Sequence, residues 1–127
     1  MGTGEGNFID PMDVEVAPDG SVYVADTWNQ RIQKFTSEGV FVSSWNGRNP
    51  DREERDPPLD GEFNRPNSIA VASDGSVYVT DSNSNRIQKF TSEGVFVSKW
   101  GTEGSGDGQF QSPLDVAVAS DGSVYVT

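Results

Sequence analysis

Two residue types that carry much of enzyme and metal chemistry are missing from this sequence. The 127 residues include no cysteine and no histidine. Without cysteine the chain can form no disulfide, thiolate nucleophile or cysteine-based zinc site, and any cellular compartment remains open. Without histidine it lacks the side chain that most often serves as general base or imidazole metal ligand. The sequence therefore contains no Ser/His/Asp, Cys/His or zinc pattern.

Basic residues are also scarce. Nine lysines and arginines stand against 20 aspartates and glutamates, so the formal net charge is -11. Because phosphate-binding surfaces depend on Lys and Arg, nucleic acid and anionic lipid surfaces are disfavoured as partners. The sequence shows no apolar run of about 18 residues and no charged-then-apolar signal pattern, so we expect a soluble chain without a membrane partner. It does not indicate a compartment.

What the sequence does contain is an internal duplication. Residues 31–43 and 86–98 share the same letters, RIQKFTSEGVFVS. Residues 70–80 recur unchanged at 117–127, and a looser copy lies at 16–25. Together the matches define a unit of about 47 residues, a period typical of propellers and other repeat arrays. We expect two full units and a third unit that is cut short.

Each unit is predicted to be a four-stranded antiparallel meander. In the first unit the strand pattern covers residues 14–17, 21–25, 31–36 and 40–45. An Asp-Gly turn joins the first pair and a Ser-Glu-Gly turn joins the last pair, and both supply the glycine that a tight hairpin needs. No window shows helical periodicity, and the strands carry apolar residues on both faces. Because a lone meander cannot cover both faces, we expect the units to stack as propeller blades.

The repeat also carries a recognisable motif. It begins with Phe8-x-x-Pro11-x-x-Val14 and continues through Asp19-Gly20-x-Val22-Tyr23-Val24-Ala25-Asp26 to Asn29-x-Arg31-Ile32-x-x-Phe35. This pattern resembles the NHL repeat, the unit of NHL-type β-propellers, over essentially the whole chain. The family's usual histidine in its Asn-His-Arg triplet is Gln30 in unit one and Asn85 in unit two. The resemblance implies an all-β fold, a β-propeller fragment whose complete parent has six blades.

We expect one partial propeller over residues 1–127. Its parts are blade 1 at about 8–47, an acidic proline-rich connector at about 48–60, blade 2 at about 61–101 and a truncated blade 3 at about 108–127. The charges and prolines of the connector exclude a central strand. It is interpreted as a solvated loop between blades, with a partner-docking loop as the alternative.

An acidic and a basic residue flank the same loop in units one and two. Asp26 ends a second strand and Arg31 begins a third, and Asp81 and Arg86 repeat the arrangement. A carboxylate and a guanidinium so placed can pair bidentately and pin the loop. We predict that these structural ion pairs brace the fold, with ligand contact as the alternative.

Candidate binding residues lie in the loops. Trp28 is at a loop tip where unit two has Asn83, and exposed aromatic residues at such tips often anchor partners, although packing on a neighbouring blade is equally open. The loops before the first strands should ring one mouth of the channel, where Asp13 and Asp115 could bind a cation through hard oxygens, while Ser68 interrupts the ring. The candidate binding residues are Asp13, Trp28, Asn29, Arg65, Asn67 and Asp115. No cofactor is expected, and the sequence leaves open whether a metal binds.

Composition and resemblance favour a non-enzymatic binding or scaffold module that recognises a protein or small ligand on its loop face. The resemblance implies a further possibility, the substrate-recognition part of a ubiquitin-ligase-type NHL protein. The alternative is a fragment of a metal-dependent propeller lyase or lactonase, in which Asp13, Asn67 and Asp115 would have to supply ligands. We also expect the truncated chain to self-associate, because its end blades leave apolar faces and a strand edge uncovered.

Overall fold

The computed structural model describes residue 2 and residues 4–45 and 59–127. This part of the chain consists of β-strands joined by turns, together with two short 3-10 turns at Thr27–Asn29 and Ser82–Ser84. Within it, neither helical segment has the length or the apolar composition that crossing a bilayer requires. The predicted connector at about 48–60 lies almost entirely outside the described residues.

Blade 1 is a four-stranded antiparallel sheet whose strands follow chain order. They are β1 (Pro11–Val16), β2 (Val22–Asp26), β3 (Arg31–Phe35) and β4 (Phe41–Trp45). The turn between β1 and β2 places Gly20 at a φ of +89°, a conformation that costs glycine nothing. Asp19 steadies the same turn by accepting the Ser21 N–H at 2.8 Å. The predicted meander is confirmed.

Blade 2 repeats this sheet with β5 (Pro66–Val71), β6 (Val77–Asp81), β7 (Arg86–Phe90) and β8 (Phe96–Trp100). The repeated sequence also repeats the pairing of strands. Val77 lies opposite Phe90 as Val22 lies opposite Phe35. The duplicated sequence segments thus pair in the same register in both blades.

The third unit contains two small strand pairs. The linker that follows blade 2 folds back on itself through β9 (Thr102–Glu103) and β10 (Gln109–Phe110), which pair in parallel. The unit then forms an antiparallel hairpin of β11 (Val116–Val118) and β12 (Val124–Val126). Within the described residues β12 pairs with β11 alone, so one edge of β12 is open.

Blade 1, blade 2 and the β11–β12 hairpin stack face to face through two apolar clusters. Tyr23, Ala25, Ile32 and Trp45 of blade 1 pack with Phe63, Ile69, Val77, Val79 and Phe90 of unit two. Ala70, Tyr78 and Ile87 of blade 2 pack with Val116 of the hairpin. Alternate residues of the blade 2 strands face opposite neighbours, because successive strand side chains point to opposite sides. Both faces of blade 2 are therefore engaged, as propeller stacking predicts.

The same polar links repeat between successive units. Thr27 Oγ1 donates to the Pro66 carbonyl at 2.7 Å, and Ser82 Oγ donates to the Pro113 carbonyl at 2.5 Å. Thr27 and Ser82 hold equivalent positions in the 3-10 turns, while Pro66 is the first residue of β5 and Pro113 lies shortly before β11. Blade 2 therefore meets the third unit much as blade 1 meets blade 2.

Candidate functional site

A β-bulge starts the first strand of blades 1 and 2. The register between β1 and β2 shifts between Pro11 and Asp13, and the register between β5 and β6 shifts between Pro66 and Ser68. A bulge adds a residue to one strand and redirects the side chain beside it. Asp13 and Ser68 thus occupy equivalent positions, and Asp115 stands at the corresponding place just before β11.

These three residues meet where the first strands lie side by side, and we call them the Asp–Ser–Asp cluster. Ser68 Oγ lies 3.0 Å from Asp13 Oδ2 and 2.7 Å from Asp115 Oδ1. Asp13 Oδ2 also accepts the Ile69 N–H at 2.8 Å, which ties β1 to β5. Ser68 is buried, whereas Asp115 is exposed. The cluster therefore joins three units and is open to solvent on one side.

The cluster contains more acceptors than its hydroxyl can serve. A serine hydroxyl has one proton, and an ionised carboxylate only accepts hydrogen bonds. Ser68 can therefore donate to Asp13 or to Asp115 at one time, and not to both. Among residues 4–45 and 59–127, the ion pairs join Arg31, Arg86 and Lys99 to other carboxylates. The arrangement is chemically suited to a further donor or a cation.

Glu15 extends the negative charge along β1. Burial raises the pKa of Glu15 above its ordinary value of 4.5, and the nearby charge of Asp13 raises it further. Both effects act against the ionised carboxylate. A positive group beside Asp13 would also interact favourably with Glu15.

Sequence reasoning placed Asp13 and Asp115 at one mouth of the channel, and the structure brings them to a single hydroxyl. In the sequence Ser68 interrupts the ring of carboxylates; in the structure it is the residue that bridges them. The signal that points to Ser68 is its alignment with the two aspartates in the repeat. Serine is too common in turns and strands to attract notice on its own.

The other loop candidates before β5 have different surroundings. Asn67 Nδ2 donates to the Leu114 carbonyl at 2.7 Å, so its amide links blade 2 to the third unit beside the cluster. Arg65 has an exposed side chain, and its backbone N–H donates to Asp81 Oδ1 at 2.8 Å. Asn67 is thus near the cluster, whereas nothing in the described contacts brings the Arg65 side chain into it.

Trp28 and Asn29 belong to the 3-10 turn of blade 1. Trp28 is 65% exposed, so it does not fill a core position and stays a candidate docking residue. Asn29 Nδ2 donates to Asp26 Oδ2 at 2.8 Å and to the Gly2 carbonyl at 3.0 Å. The Asn29 amide is therefore used within the fold.

The structure pairs Asp26 with Arg31 across this turn. Arg31 Nε lies 2.8 Å from Asp26 Oδ2. The sequence had led us to expect a bidentate pair, and this expectation is wrong. Only Arg31 Nε donates to Asp26, and Arg31 Nη2 instead donates to the carbonyls of Gly4 and Asn7 at 2.8 and 2.9 Å. The guanidinium thereby holds the segment before β1 as well as the loop.

Blade 2 contains the same network. Arg86 Nε lies 3.3 Å from Asp81 Oδ2, and Arg86 Nη2 donates to the carbonyls of Leu59 and Glu62. Gln88, which is fully buried, donates to the same Glu62 carbonyl at 2.7 Å. Sequence reasoning missed this glutamine and its counterpart in blade 1, although both follow the arginine in the repeated letters Arg-Ile-Gln. These networks stabilise the fold and are distinct from the Asp–Ser–Asp cluster.

Comparison with known proteins agrees with the repeat. Two segments match the NHL repeat, residues 8–35 and 63–90. The chain is 34% identical over 102 residues to peptidyl-glycine alpha-amidating monooxygenase B of Xenopus laevis, which spans 77% of this chain and 11% of that protein. It is 36% identical over 103 residues to Protein brain tumor of Drosophila melanogaster, with 80% and 9% covered.

A third relative is the probable peptidyl-alpha-hydroxyglycine alpha-amidating lyase of Caenorhabditis elegans. It is 34% identical over 92 residues, which span 71% of this chain and 25% of the relative. The chain therefore spans a small part of the length of each of these relatives.

Solved structures of low sequence identity share the architecture. Virginiamycin B lyase from Staphylococcus aureus aligns with a TM-score of 0.66 at 20% identity, covering 92% of this chain and 34% of that one. Kuenenia stuttgartiensis hydrazine synthase aligns with a TM-score of 0.70 at 12% identity, covering 100% and 32%. At these identities the likeness shows the fold, a β-propeller architecture.

Proposed function

Since this chain belongs to the NHL-repeat family of β-propellers, we propose that it is a non-enzymatic recognition module that binds a positively charged group at the Asp–Ser–Asp cluster. The group would belong to a protein or to a small ligand. The observation that carries the proposal is the convergence of two carboxylates on the single hydroxyl of Ser68, at 3.0 and 2.7 Å. In a larger protein such a module would serve as the substrate-recognition part.

An ammonium or guanidinium group would supply what the cluster lacks. Either group donates several hydrogen bonds and accepts none, and a guanidinium matches carboxylate oxygens in a fixed plane. The exposed side of Asp115 gives such a group access, and the neighbouring Glu15 adds a further negative charge. The net charge of -11 also favours the approach of cations over a longer range.

The test is calorimetric titration of the 127-residue chain with a hexa-arginine peptide, and with hexa-glutamate as the opposite-charge control. Asp13→Asn and Asp115→Asn each remove one charge but keep an acceptor oxygen, so the contacts to Ser68 and Ile69 can persist. We expect either variant to bind hexa-arginine at least about tenfold more weakly than the unchanged chain, a difference of about 1.4 kcal/mol.

Asp107→Asn is the matched control, because Asp107 is an exposed acid in the linker before β11 and away from the cluster in sequence. It should leave the affinity nearly unchanged. Equal weakening in all three variants would mean that overall charge, and not the cluster, attracts the peptide. Absence of binding to the unchanged chain would also overturn the proposal.

A second candidate function is catalysis, favoured by the 34% identity to a relative named as an amidating lyase. A metal-dependent reaction would need a ligand set from Asp13, Asn67 and Asp115. Within residues 4–45 and 59–127, no three acidic, histidine or cysteine side chains form a group that could hold a metal ion. The Asn67 amide is also turned to the Leu114 carbonyl through its nitrogen. The described residues alone therefore do not fit a metal centre.

Calcium chloride titration, read by calorimetry, separates the two functions. The recognition module predicts no saturable calcium heat, whereas the metal-dependent alternative predicts stoichiometric binding. Loss of that binding in Asp13→Asn and Asp115→Asn, with retention in Asp107→Asn, would assign the metal to the cluster and favour the enzymatic alternative.

A further inference from the structure

Arg65 differs from the other basic side chains that the structure describes. Each of the others has a partner: an aspartate for Arg31, Arg86 and Lys99, a carbonyl oxygen for Lys34 and a tyrosine ring for Lys89. The exposed Arg65 side chain makes no hydrogen bond, ion pair or ring contact within residues 4–45 and 59–127. Its guanidinium, which only donates hydrogen bonds, is therefore free to bind an anion.

The backbone holds Arg65 in a fixed place. Its N–H donates to Asp81 Oδ1 at 2.8 Å, and its carbonyl accepts the Ser82 N–H at 3.0 Å. The next residue, Pro66, is tied to blade 1, because its carbonyl accepts a hydrogen bond from Thr27 Oγ1 at 2.7 Å. The free side chain thus extends from an anchored backbone at the junction of blades 1 and 2.

The repeat does not require a cation at this position. Asp10 and Ser112 are the counterparts of Arg65 in units one and three, since each of the three residues directly precedes the repeated proline. Arg65 is also exposed although its own unit packs against blade 1 on one side and the β11–β12 hairpin on the other. The charge is therefore a property of this face in unit two.

The Asp–Ser–Asp cluster lies close to Arg65 along the chain. Arg65 is three positions before Ser68, which corresponds to about 10 Å along an extended strand. An extended peptide covers the same distance in about three residues. The cluster offers carboxylates and Arg65 offers a guanidinium, so the face presents both signs of charge at a spacing that a short peptide can match.

An exposed aromatic residue belongs to the same junction. Trp28 follows Thr27, the residue that binds the Pro66 carbonyl, and is 65% exposed. Its counterpart Asn83 is exposed as well, although blade 2 has a described unit on each side. The turn position itself therefore faces solvent. The indole adds apolar contact area, which favours a polypeptide ligand over a small zwitterion.

We propose that the ligand of this face is a polypeptide segment with two opposite charges about three residues apart, a basic side chain at the Asp–Ser–Asp cluster and an acidic side chain at Arg65. This inference rests on the proposed binding of a cation by the cluster and adds the anionic half of the ligand. A guanidinium can hold a carboxylate through two parallel hydrogen bonds. Arg65 would thereby select among the many cationic ligands that a net charge of -11 attracts.

The probes are two peptides with blocked ends, RGGE and RGGK, titrated into the 127-residue chain by calorimetry. They differ only in the charge of the last side chain. Arg65→Glu should lower the ratio of their association constants, RGGE over RGGK, at least about tenfold, because the new carboxylate repels one probe and attracts the other. Arg65→Gln, which only removes the charge, should lower the ratio about threefold.

Lys99→Glu is the matched control, because it changes the net charge by the same amount at an exposed position of the outer strand β8. It should leave the ratio unchanged. Asp13→Asn should weaken both probes alike, since both place their arginine at the cluster. Free arginine carries a guanidinium and a carboxylate in one small molecule, and it should bind at least about tenfold more weakly than RGGE.

The outcomes separate this inference from the proposed function. An unchanged ratio in Arg65→Glu, or an equal fall in Lys99→Glu, would exclude a role for Arg65, while hexa-arginine binding would leave the function of the cluster intact. Free arginine that binds as tightly as RGGE would assign the face to a small zwitterion and overturn the polypeptide. If neither hexa-arginine nor RGGE binds, the proposed function fails together with this inference.

Discussion

At the scale of single residues, aspartate takes three roles that its position in the repeat decides. Asp81 is fully buried against Arg86, and Asp13 lies in the cluster with Ser68. Asp74 is a turn residue, and the hydrogen bond from the Ser76 N–H lowers its pKa, as the equivalent bonds do at Asp19 and Asp121. The same carboxylate therefore pairs with a guanidinium, contacts a hydroxyl or fixes a turn according to its position in the repeat.

Removal of Asp81 tests the buried network. Asp81→Ala should lower the free energy of unfolding by about 3 kcal/mol or more, because it leaves a buried guanidinium without its carboxylate. It also removes the acceptor of the Asn64 and Arg65 N–H groups. Urea denaturation measures the loss, and a double-mutant cycle with Arg86→Ala should show coupling, since the two residues share one network.

Asp60→Ala is the matched control, because Asp60 pairs with Lys99 at 2.6 Å while both side chains are about half exposed. Exposed pairs contribute about 0 to 1 kcal/mol. A cost at Asp81 no larger than the cost at Asp60 would contradict the structural role of the buried pair, as would additivity in the cycle.

Glu15 should make stability depend on pH. Its pKa is raised in the folded state, first by burial and then by Asp13, so ionisation of Glu15 is less favourable in the fold than in the unfolded chain. Below pH 4.5 the Glu15 side chain is protonated in both the folded and the unfolded state, and its contribution to the free energy of unfolding is fully present. That contribution is lost as pH rises through the raised pKa of the folded state. Glu15→Gln should therefore raise the free energy of unfolding near pH 7.

The pH series supplies the control for this variant. Near pH 3, below both pKa values, the Glu15 side chain of the parent is also neutral. The pKa difference then adds ~0 kcal/mol to the comparison, so the higher free energy of unfolding of Glu15→Gln should largely disappear. Denaturation curves at both pH values measure the difference. An equal gain at the two pH values would attribute the effect to packing instead of charge.

At the scale of elements, turn chemistry and the repeated short strand segments were sufficient to predict both four-stranded blades. The Asp-Gly turns supply local signals that need no knowledge of neighbouring sheets. The bulges at Met12 and Asn67 were not predictable, because a bulge depends on pairing with the next strand. The contacts of Ser68 with Asp13 and Asp115 depend on how three units pack together. The sequence alone does not show that these side chains lie within hydrogen-bond distance.

Two equivalent glycines offer a comparison of hairpins. Gly39 and Gly94 have φ values of +84° and +86° in matching turns. An added Cβ at Gly39 meets nothing within 4 Å, whereas at Gly94 it would overlap Trp45. Gly39→Ala should cost about 1 kcal/mol of conformational strain, and Gly94→Ala about 1 to 3 kcal/mol more.

Urea denaturation measures the free energy of unfolding of both variants. The tryptophan emission of Gly94→Ala should shift to longer wavelength as Trp45 becomes exposed to solvent. Equal costs at the two glycines would show that backbone strain alone accounts for both, and that the contact between blades adds little.

At the scale of the whole molecule, one face of β1 exposes apolar side chains among the described residues. Met12, Val14 and Val16 of β1 are 52%, 58% and 61% exposed. Apolar patches of this kind favour association, and the near-identical units let one copy of the chain substitute for a blade of another. We expect the average mass in light scattering to rise with protein concentration.

Val14→Thr together with Val16→Thr should reduce that rise, since both changes keep the β-branched shape while adding polar groups. Val118→Thr is the control, because Val118 packs against the blade 2 cluster and lies outside this face. A constant monomer mass at all concentrations would contradict the expectation.

The shared register of β3 and β7 has a consequence for folding kinetics. A chain that collapses from the unfolded state can join β2 to β7, or β6 to β3, with four of the five side-chain pairs unchanged and only Ala25 and Thr80 exchanged. Such wrong partners must separate before the native order forms, so near-identical repeats create kinetic traps. Refolding should therefore show a slow phase, and altering one copy, as in Ile32→Val, should shorten it. Sequence divergence between blades would then increase the specificity with which each hairpin pairs within its own sheet during folding.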